Sequence, residues 1–388
     1  MKPIKFSSRV KRLTGSLIRE TLAWTQKPGM ISFAGGLPSE EVMPRLAMPD
    51  VPQSLGQYGM TEGEPALRKW IAQRLTALGR RCKPEQILIT SGSQQGIDLV
   101  SKLFIDPGTP VVIEAPSYLA AIQSFRFFGA DFILHPLSEE GIDPEQLLSS
   151  ILRNHPAFSY LIPTFQNPSG VCYSQREREK IAEVFDRTGG LLVEDDPYRE
   201  LAYNVVDRHP LCGYLQKASW VYLGSFSKTG LPGLRIGYLA ASEDLFPFFV
   251  RLKQSADLHT SRIGQWWTHQ FISSSDYPAH LDRLSAYYRQ KRDIMGEALK
   301  SHFGDIARWD TPKGGLFFWI RLNQSIDTRE ILKRALEKNV AFMPGEPFFA
   351  ADEPPQGFLR LNFSRSSPVE IEKGIAILGQ MIRQQFQS

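Results

Sequence analysis

The chain has 388 residues, with 45 Lys and Arg against 41 Asp and Glu, for a net charge of +4. Hydrophobic residues make up 42% and charged residues 22%, beside 30 Gly and 27 Pro. These are values of a globular protein, and they exclude collagenous, low-complexity and strongly charged disordered classes. Length points to roughly two to three domains, and so slight a charge gives no reason to expect nucleic acid as a partner.

The N-terminus, MKPIKFSSRVKRLTG, is basic but lacks the apolar run of a signal peptide. Its RVKRL stretch (9–13) reads as a solvated helix face, a second helix is expected near 14–26, and the loop SFAGGLP comes at 32–38. From residue 87 short apolar runs alternate with helical patterns. The strand candidates are ILIT (87–90), VVIEA (111–115), DFILHPL (131–137), SYLIP (159–163), LLVEDD (191–196), WVYLGSFS (220–227) and RIGYLAA (235–241). Several are continuously apolar, as strands buried on both faces of a parallel sheet are.

Helical patterns separate them: SQQGIDLVSKLF, YLAAIQSFRFF and REREKIAEVFDRTGG. In the last, Ile181, Val184 and Phe185 recur at helical spacing, Gly189–Gly190 ends the helix, and REREK (176–180) reads as a solvated face. This rhythm predicts an open, doubly wound α/β domain. Only KTGLPGL separates the sixth and seventh strands, too little for a crossover helix, so that pair is expected to be antiparallel.

Past residue 278 the rhythm changes. PAHLDRLSAYYRQKRDIMGEALKSHF reads as one long helix with an apolar stripe of Leu281, Leu284, Tyr288, Met295 and Leu299. Strands GGLFFWIRL, VAFMPG and FLRLNFS come next, with two helices around them, giving a smaller α+β domain. The division expected is a large domain over 56–285 and a small one from 1–55 with 286–388. Three scattered Cys and seven His give neither a disulfide framework nor a metal site. No run of about 18 apolar residues occurs, so a cytoplasmic protein without a membrane partner is expected.

In an open α/β sheet, ligands bind at the carboxyl ends of the strands, so the residues just past each strand matter most. After ILIT, Ser93 and Gln94 open a helix whose free N–H groups offer an anion site, although a plain N-cap is the simpler reading of this feature alone. Tyr118 lies past the second strand and Asn167 past the fourth, where they read as a core wedge and a turn. The fifth strand runs from apolar residues into Glu194, Asp195 and Asp196, with Tyr198 beyond. Carboxylates on a buried strand require a cation or a protonated partner.

The sixth strand ends in Ser225-Phe226-Ser227-Lys228, and Arg235 opens the returning strand. A lysine delivered by a buried strand to a turn is suited to Schiff-base chemistry, since its surroundings lower its pKa. Together these residues specify a ligand with a phosphate (Ser93, Gln94, Ser225, Ser227, Arg235), an aldehyde (Lys228), a protonatable ring nitrogen (Asp195) and an aromatic face (Tyr118). Asn167 and Tyr198 are placed for a ring hydroxylate. That ligand is pyridoxal 5′-phosphate.

The same segments make the chain resemble the fold-type I PLP-dependent aminotransferases of class I/II, most closely their 2-aminoadipate and kynurenine branch. The resemblance runs through SFAGGLP, QYGMTEGEPALR (57–68), TSGSQQ (90–95), EAPSY (114–118), PTFQNPSG (163–170), VEDDPYREL (193–201), GSFSKTGLPGLRIGY (224–238), PKGGLFFW (312–319) and FLRLNFS (358–364). It implies a seven-stranded, mostly parallel sheet with one antiparallel strand, beside the smaller α+β domain. It implies that Lys228 forms the internal aldimine and shuttles the substrate proton, that Asp195 pairs with the ring nitrogen, and that Tyr118 stacks on the ring. Arg360 would clamp the substrate α-carboxylate, with Asn167 and the close backbone approach at Gly36 beside it.

Tyr58 would reach the phosphate of a neighbouring subunit, implying a homodimer with active sites at its interface. Arg19 matches an arginine that reads a distal carboxylate, or it lies on a solvated helix face. A helix bearing Leu17, Ile18, Leu22 and Trp24 beside Arg19 would serve both acidic and apolar substrates. The activity implied is ping-pong transamination between an L-amino acid (2-aminoadipate, aromatic or branched-chain) and 2-oxoglutarate. A β-eliminating lyase or an amino-acid cyclase on the same fold is the alternative. An effector domain of a transcription regulator is disfavoured, because no helix-turn-helix fits in the residues before the cofactor domain.

Overall fold

The computed structural model describes residues 4–13, 15, 27–45 and 50–386. The expected helix near 14–26, with Arg19, Leu17, Ile18, Leu22 and Trp24, therefore lies outside the described residues. In chain order the first elements are β1 (Ile31–Ser32), α1 (Pro65–Ala77), β2 (Ile87–Thr90), α2 (Ser93–Phe104), β3 (Pro110–Ala115) and α3 (Leu119–Phe128). Next come β4 (Asp131–Pro136), α4 (Pro144–Asn154), β5 (Phe158–Leu161), α5 (Gln175–Thr188), β6 (Leu192–Asp196), β7 (Trp220–Ser225) and β8 (Gly237–Ala241). The rest are α6 (Phe246–Asp257), α7 (Arg262–Ile272), α8 (Tyr277–Phe303), β9 (Ala307–Arg308), β10 (Phe317–Leu322), α9 (Thr328–Glu337), β11 (Val340–Ala341), β12 (Met343–Pro344), β13 (Phe358–Asn362) and α10 (Pro368–Phe386).

Seven strands form one sheet in the order β2-β8-β7-β6-β5-β3-β4. The strand β8 runs antiparallel to both β2 and β7, and every other pairing is parallel. Successive residues of a strand face opposite ways, and two cores result from that alternation. Ile87, Ile89, Val112 and Tyr222 pack into one, while Leu88, Val111, Ile113, Val221 and Leu223 pack into the other. Helices cover both faces, so the strands are largely apolar, as expected of them, apart from carboxylates such as Glu114 on β3 and Asp195 on β6.

A four-stranded antiparallel sheet, β12-β13-β10-β9, makes up the second body with α8, α9 and α10. The chain's beginning joins its end here: β1 pairs in parallel with β11, Ile31 against Val340, and Phe33 enters the same core. The helix α8 runs unbroken across residues 285 and 286 and buries Leu284, Tyr288, Met295 and Leu299. The helices α6 and α7 form two elements that the sequence reading did not anticipate. No described helix is long and apolar enough to cross a membrane.

Of the two charged stretches expected to be solvated faces, RVKRL holds no buried residue and REREK is partly buried. Within REREK, Arg178 is fully buried and Glu177 nearly so. The Arg178 guanidinium finds acceptors in the carbonyls of Pro163, Tyr173 and His209, which offsets its desolvation. RVKRL forms a short 3-10 helix, Ser8–Arg12, whose Arg9 guanidinium lies 5.3 Å from the Phe128 ring at the end of α3.

Candidate active site

The carboxyl ends of the parallel strands meet the second body in two adjoining cavities of about 180 and 460 Å³, which share Tyr118, Asn167, Tyr198, Lys228 and Arg235. Volumes of this order suit a small metabolite. Gln94 lines both cavities as well, while Ser93, Asp195, Ser225 and Ser227 line the smaller and Gly36 and Arg360 the larger. Of the candidate site residues that are described, Tyr58 stands apart. Tyr58 is 76% exposed, with its ring edge-on to His259 and no place in either lining. Arg19 falls outside the described residues.

Each group is delivered by a strand end or helix start. The strand β6 carries Asp195, which is buried. Its Oδ2 accepts the Tyr160 hydroxyl from neighbouring β5 at 2.6 Å, while Oδ1 has no partner among the described residues. Burial pushes its carboxyl up to about 7, although the Tyr160 bond opposes that rise. Lys228, just past β7, donates from Nζ to the Gly36 carbonyl at 2.8 Å. Burial, then the positive charges of Arg360 and Arg235, lower its amine to about 8. A lysine so depressed is partly neutral near physiological pH and thus nucleophilic.

Gly92, the N-cap of α2, has a φ of 74°, and Ser93 and Gln94 begin the helix. A Cβ at Gly92 would collide with the Arg235 guanidinium. Arg235 itself ends the turn between β7 and β8 in the left-handed region, φ 55°. It is exposed and, among the described residues, donates to the Pro232 and Ser91 carbonyls, at 3.3 and 3.5 Å. The Ser227 N–H donates to Ser225 Oγ at 3.1 Å. Tyr118, the N-cap of α3, stands half-buried with its hydroxyl 3.5 Å from Gln94 Oε1, and burial raises it to about 12.

At the other end, Arg360 on β13 is 5% exposed. Its Nη1 donates to Asn167 Oδ1 and its Nη2 to the Ala34 carbonyl, each at 2.8 Å, while Nε has no partner among the described residues. The guanidinium lies 4.1 Å from the Phe317 ring centre and 5.0 Å from that of Phe348. Burial lowers it to about 10, and it stays charged at neutral pH. Asn167 also bonds the Tyr198 hydroxyl, whose pKa burial pushes upward. A Cβ at Gly36 would sit 3.2 Å from the Phe317 ring, so the backbone there lies close against the lining.

Pyridoxal phosphate fits this donor set. The unpartnered Asp195 Oδ1 is a buried acceptor that a protonated ring nitrogen satisfies. Hydroxyls, a helix start and Arg235 supply an anion cradle, and Lys228 a depressed amine. Sequence reasoning missed Tyr160, Phe317 and Phe348. All three read as core aromatics; the sole signal was the phenol hydroxyl of Tyr160 in the SYLIP strand.

Comparison with known proteins agrees with this geometry. The profile of the family "Aminotransferase class I and II" matches residues 29–378. A 2-aminoadipate transaminase of Thermus thermophilus is 38% identical over 398 aligned positions, covering 99% of this chain and 98% of the relative. Among solved structures, the α-aminoadipate aminotransferase of Thermus thermophilus, complexed with N-(5′-phosphopyridoxyl)-L-leucine, superposes with a TM-score of 0.89 at 36% identity, covering 98% of each chain. A kynurenine aminotransferase of Pyrococcus horikoshii, in complex with PMP, gives 0.90 at 34% identity, covering 99% of this chain and 98% of that one.

Proposed function

The chain belongs to the class I and II aminotransferases, enzymes that use pyridoxal phosphate, and from that premise we propose that it moves an amino group between an L-amino acid and 2-oxoglutarate in two alternating half-reactions. The amino acids proposed are 2-aminoadipate and the aromatic and branched-chain types. The names of the relatives support the 2-aminoadipate and aromatic types, and the apolar lining by Leu119, Phe317, Met343 and Phe348 supports the apolar ones.

One observation carries the reading. A lysine amine lowered to about 8 and a buried arginine face the same cavity, and an α-amino acid presents the groups they would meet. When bound, pyridoxal phosphate supplies an aldehyde for amines and an electron-withdrawing ring for the Cα–H bond. Asp195 Oδ1 holds the ring nitrogen's proton, and Tyr118 covers the ring face. Ser93, Gln94, Ser225, Ser227 and Arg235 hold the phosphate, while Asn167 and Tyr198 hold the ring hydroxyl. Arg360 pairs with the substrate α-carboxylate and Gly36 leaves room for its approach. Lys228 Nζ would take the Cα proton and deliver it to the cofactor carbon on the other side of the substrate's nitrogen. Asn167 serves both ends, since its Oδ1 already engages Arg360.

We assign the exposed Tyr58 to the phosphate of a partner subunit in a homodimer, and Arg19 to a distal substrate carboxylate. The test is a titration of purified holoenzyme with single amino acids. The visible cofactor band should convert, and the matching 2-oxo acid should appear without ammonia. Release of ammonia and pyruvate would mark an eliminating lyase, and absence of a borohydride-fixable cofactor on Lys228 would overturn the reading altogether. Unchanged glutamate kinetics in Arg19→Ala would remove the carboxylate-reading role.

A further inference from the structure

Glu114 is fully buried in β3 and has no part in the chemistry above. Its Oε1 accepts from the Ile162 N–H at 3.0 Å and the Tyr173 hydroxyl at 2.6 Å, and its Oε2 from Gln166 Nε2 at 2.9 Å. Those three donors come from the start, middle and end of the segment that carries Asn167. Gln166 is committed on both sides. Its Nε2 also donates to the Pro116 carbonyl at 2.7 Å, and its Oε1 accepts from the N–H and hydroxyl of Ser169 at 2.9 and 2.8 Å. Pro116 lies two residues before Tyr118. Arg178 grips the same segment from outside, through the Pro163 carbonyl at 2.8 Å and the Tyr173 carbonyl at 3.1 Å.

A buried carboxylate is an expensive way to fill a core position. Burial pushes Glu114 up to about 7 even with three donors on it. The cost has a geometric return. Only an acceptor on both oxygens satisfies all three donors at once, and Gln166 cannot turn over to help without releasing Pro116 and Ser169.

We propose that Glu114 is a positioning residue for transamination: through Gln166, Ile162 and Tyr173 it locks the Tyr118 arm to the Asn167 segment. The ring face and the carboxylate clamp then keep a fixed spacing. Asn167 Oδ1 bonds Arg360 directly, so any slack in the segment reaches the guanidinium without an intermediary. This inference rests on the roles assigned above to Tyr118, Asn167 and Arg360.

The test is Glu114→Gln in the holoenzyme. The substitution keeps volume and the acceptor toward Ile162, but sets an amide NH2 against that of Gln166. Losing a hydrogen bond to a charged group should raise KM for the amino acid roughly tenfold and shorten retention of the cofactor on dialysis in parallel. Gln166→Met cuts the same link from its other side. The double variant should be no worse than the poorer single one, because both remove one coupling.

A lower melting temperature with KM and cofactor retention unchanged would reduce Glu114 to a core residue and overturn the proposal. So would single effects that simply add. Should Glu114→Gln fail to fold, KM and retention in Gln166→Met decide on the same terms. Wild-type holoenzyme that transaminates nothing would instead sink the function proposed above. Active wild type beside an unaltered Glu114→Gln sinks only this inference, and cofactor retention is read without turnover.

Discussion

The pocket holds two arginines aimed at anions, and they are built in opposite ways. Arg235 is exposed, sits in a turn and meets two carbonyls at 3.3 and 3.5 Å. Arg360 is buried, held by two bonds of 2.8 Å and flanked by the rings of Phe317 and Phe348. The difference matches the anions proposed for them. A resident phosphate carries more charge and collects donors from two serines and a helix start, so a solvated guanidinium suffices there. A substrate carboxylate visits briefly, and it binds best where the guanidinium has already been oriented and stripped of water. Between the two stands Lys228, whose amine both arginines help to depress.

Removing what the two ends share should have the largest effect. Lys228→Ala is expected to lower kcat about 10⁴-fold, the upper range for a proton-transferring group, while half-reaction binding spectra still show the amino acid entering. Next comes the buried end. Arg360→Lys should cut kcat/KM about a hundredfold or more, because a two-pronged, desolvated pair is replaced by a point charge. Its cofactor affinity should match wild type; a parallel loss would erase the contrast between the two ends.

At the exposed end, Arg235→Ala should weaken cofactor affinity about tenfold, and added pyridoxal phosphate should restore kcat and KM in steady-state assays. The smallest effect is one of pH. The Lys228 amine is neutral above about 8, so capture of the aldehyde by cofactor-free protein should speed up as pH rises. Between pH 7.5 and 8.5 the gain should be about threefold, as the neutral fraction dictates. A tenfold gain would instead mark an amine that burial and the two arginines leave undepressed, because the neutral fraction of a group with a far higher pKa rises about tenfold per pH unit.

Much of this was legible in the residues themselves. The strands are nearly continuous apolar runs, and the groups just beyond them converge because a parallel sheet aligns its carboxyl ends. The antiparallel entry of β8 was legible from the shortness of the KTGLPGL link. What escaped notice depended on partners distant in sequence. Arg178 lies in REREK, whose composition is that of a solvated face, and it is buried by segments distant from it, 163–173 and the loop carrying Asp207 and His209. Tyr160 reads as apolar because its partner, Asp195, belongs to the neighbouring strand. Glu114 looked like part of a motif ending in Tyr118, and its three donors are 48, 52 and 59 residues away. Pattern reveals which face of an element is buried, not which polar atoms meet there.

The tie between Arg360 and the Ala34 carbonyl spans 326 residues, whereas Lys228 and Arg235 belong to one turn between neighbouring strands. Synthesis proceeds from the N-terminus. A ribosome that has released the chain through β8 has therefore already supplied every strand of the seven-stranded sheet and every residue of the proposed cofactor cradle in this subunit. The carboxylate clamp must wait for β13, near the end of translation. A growing polypeptide thus gains the means to hold its cofactor well before it gains the means to choose a substrate.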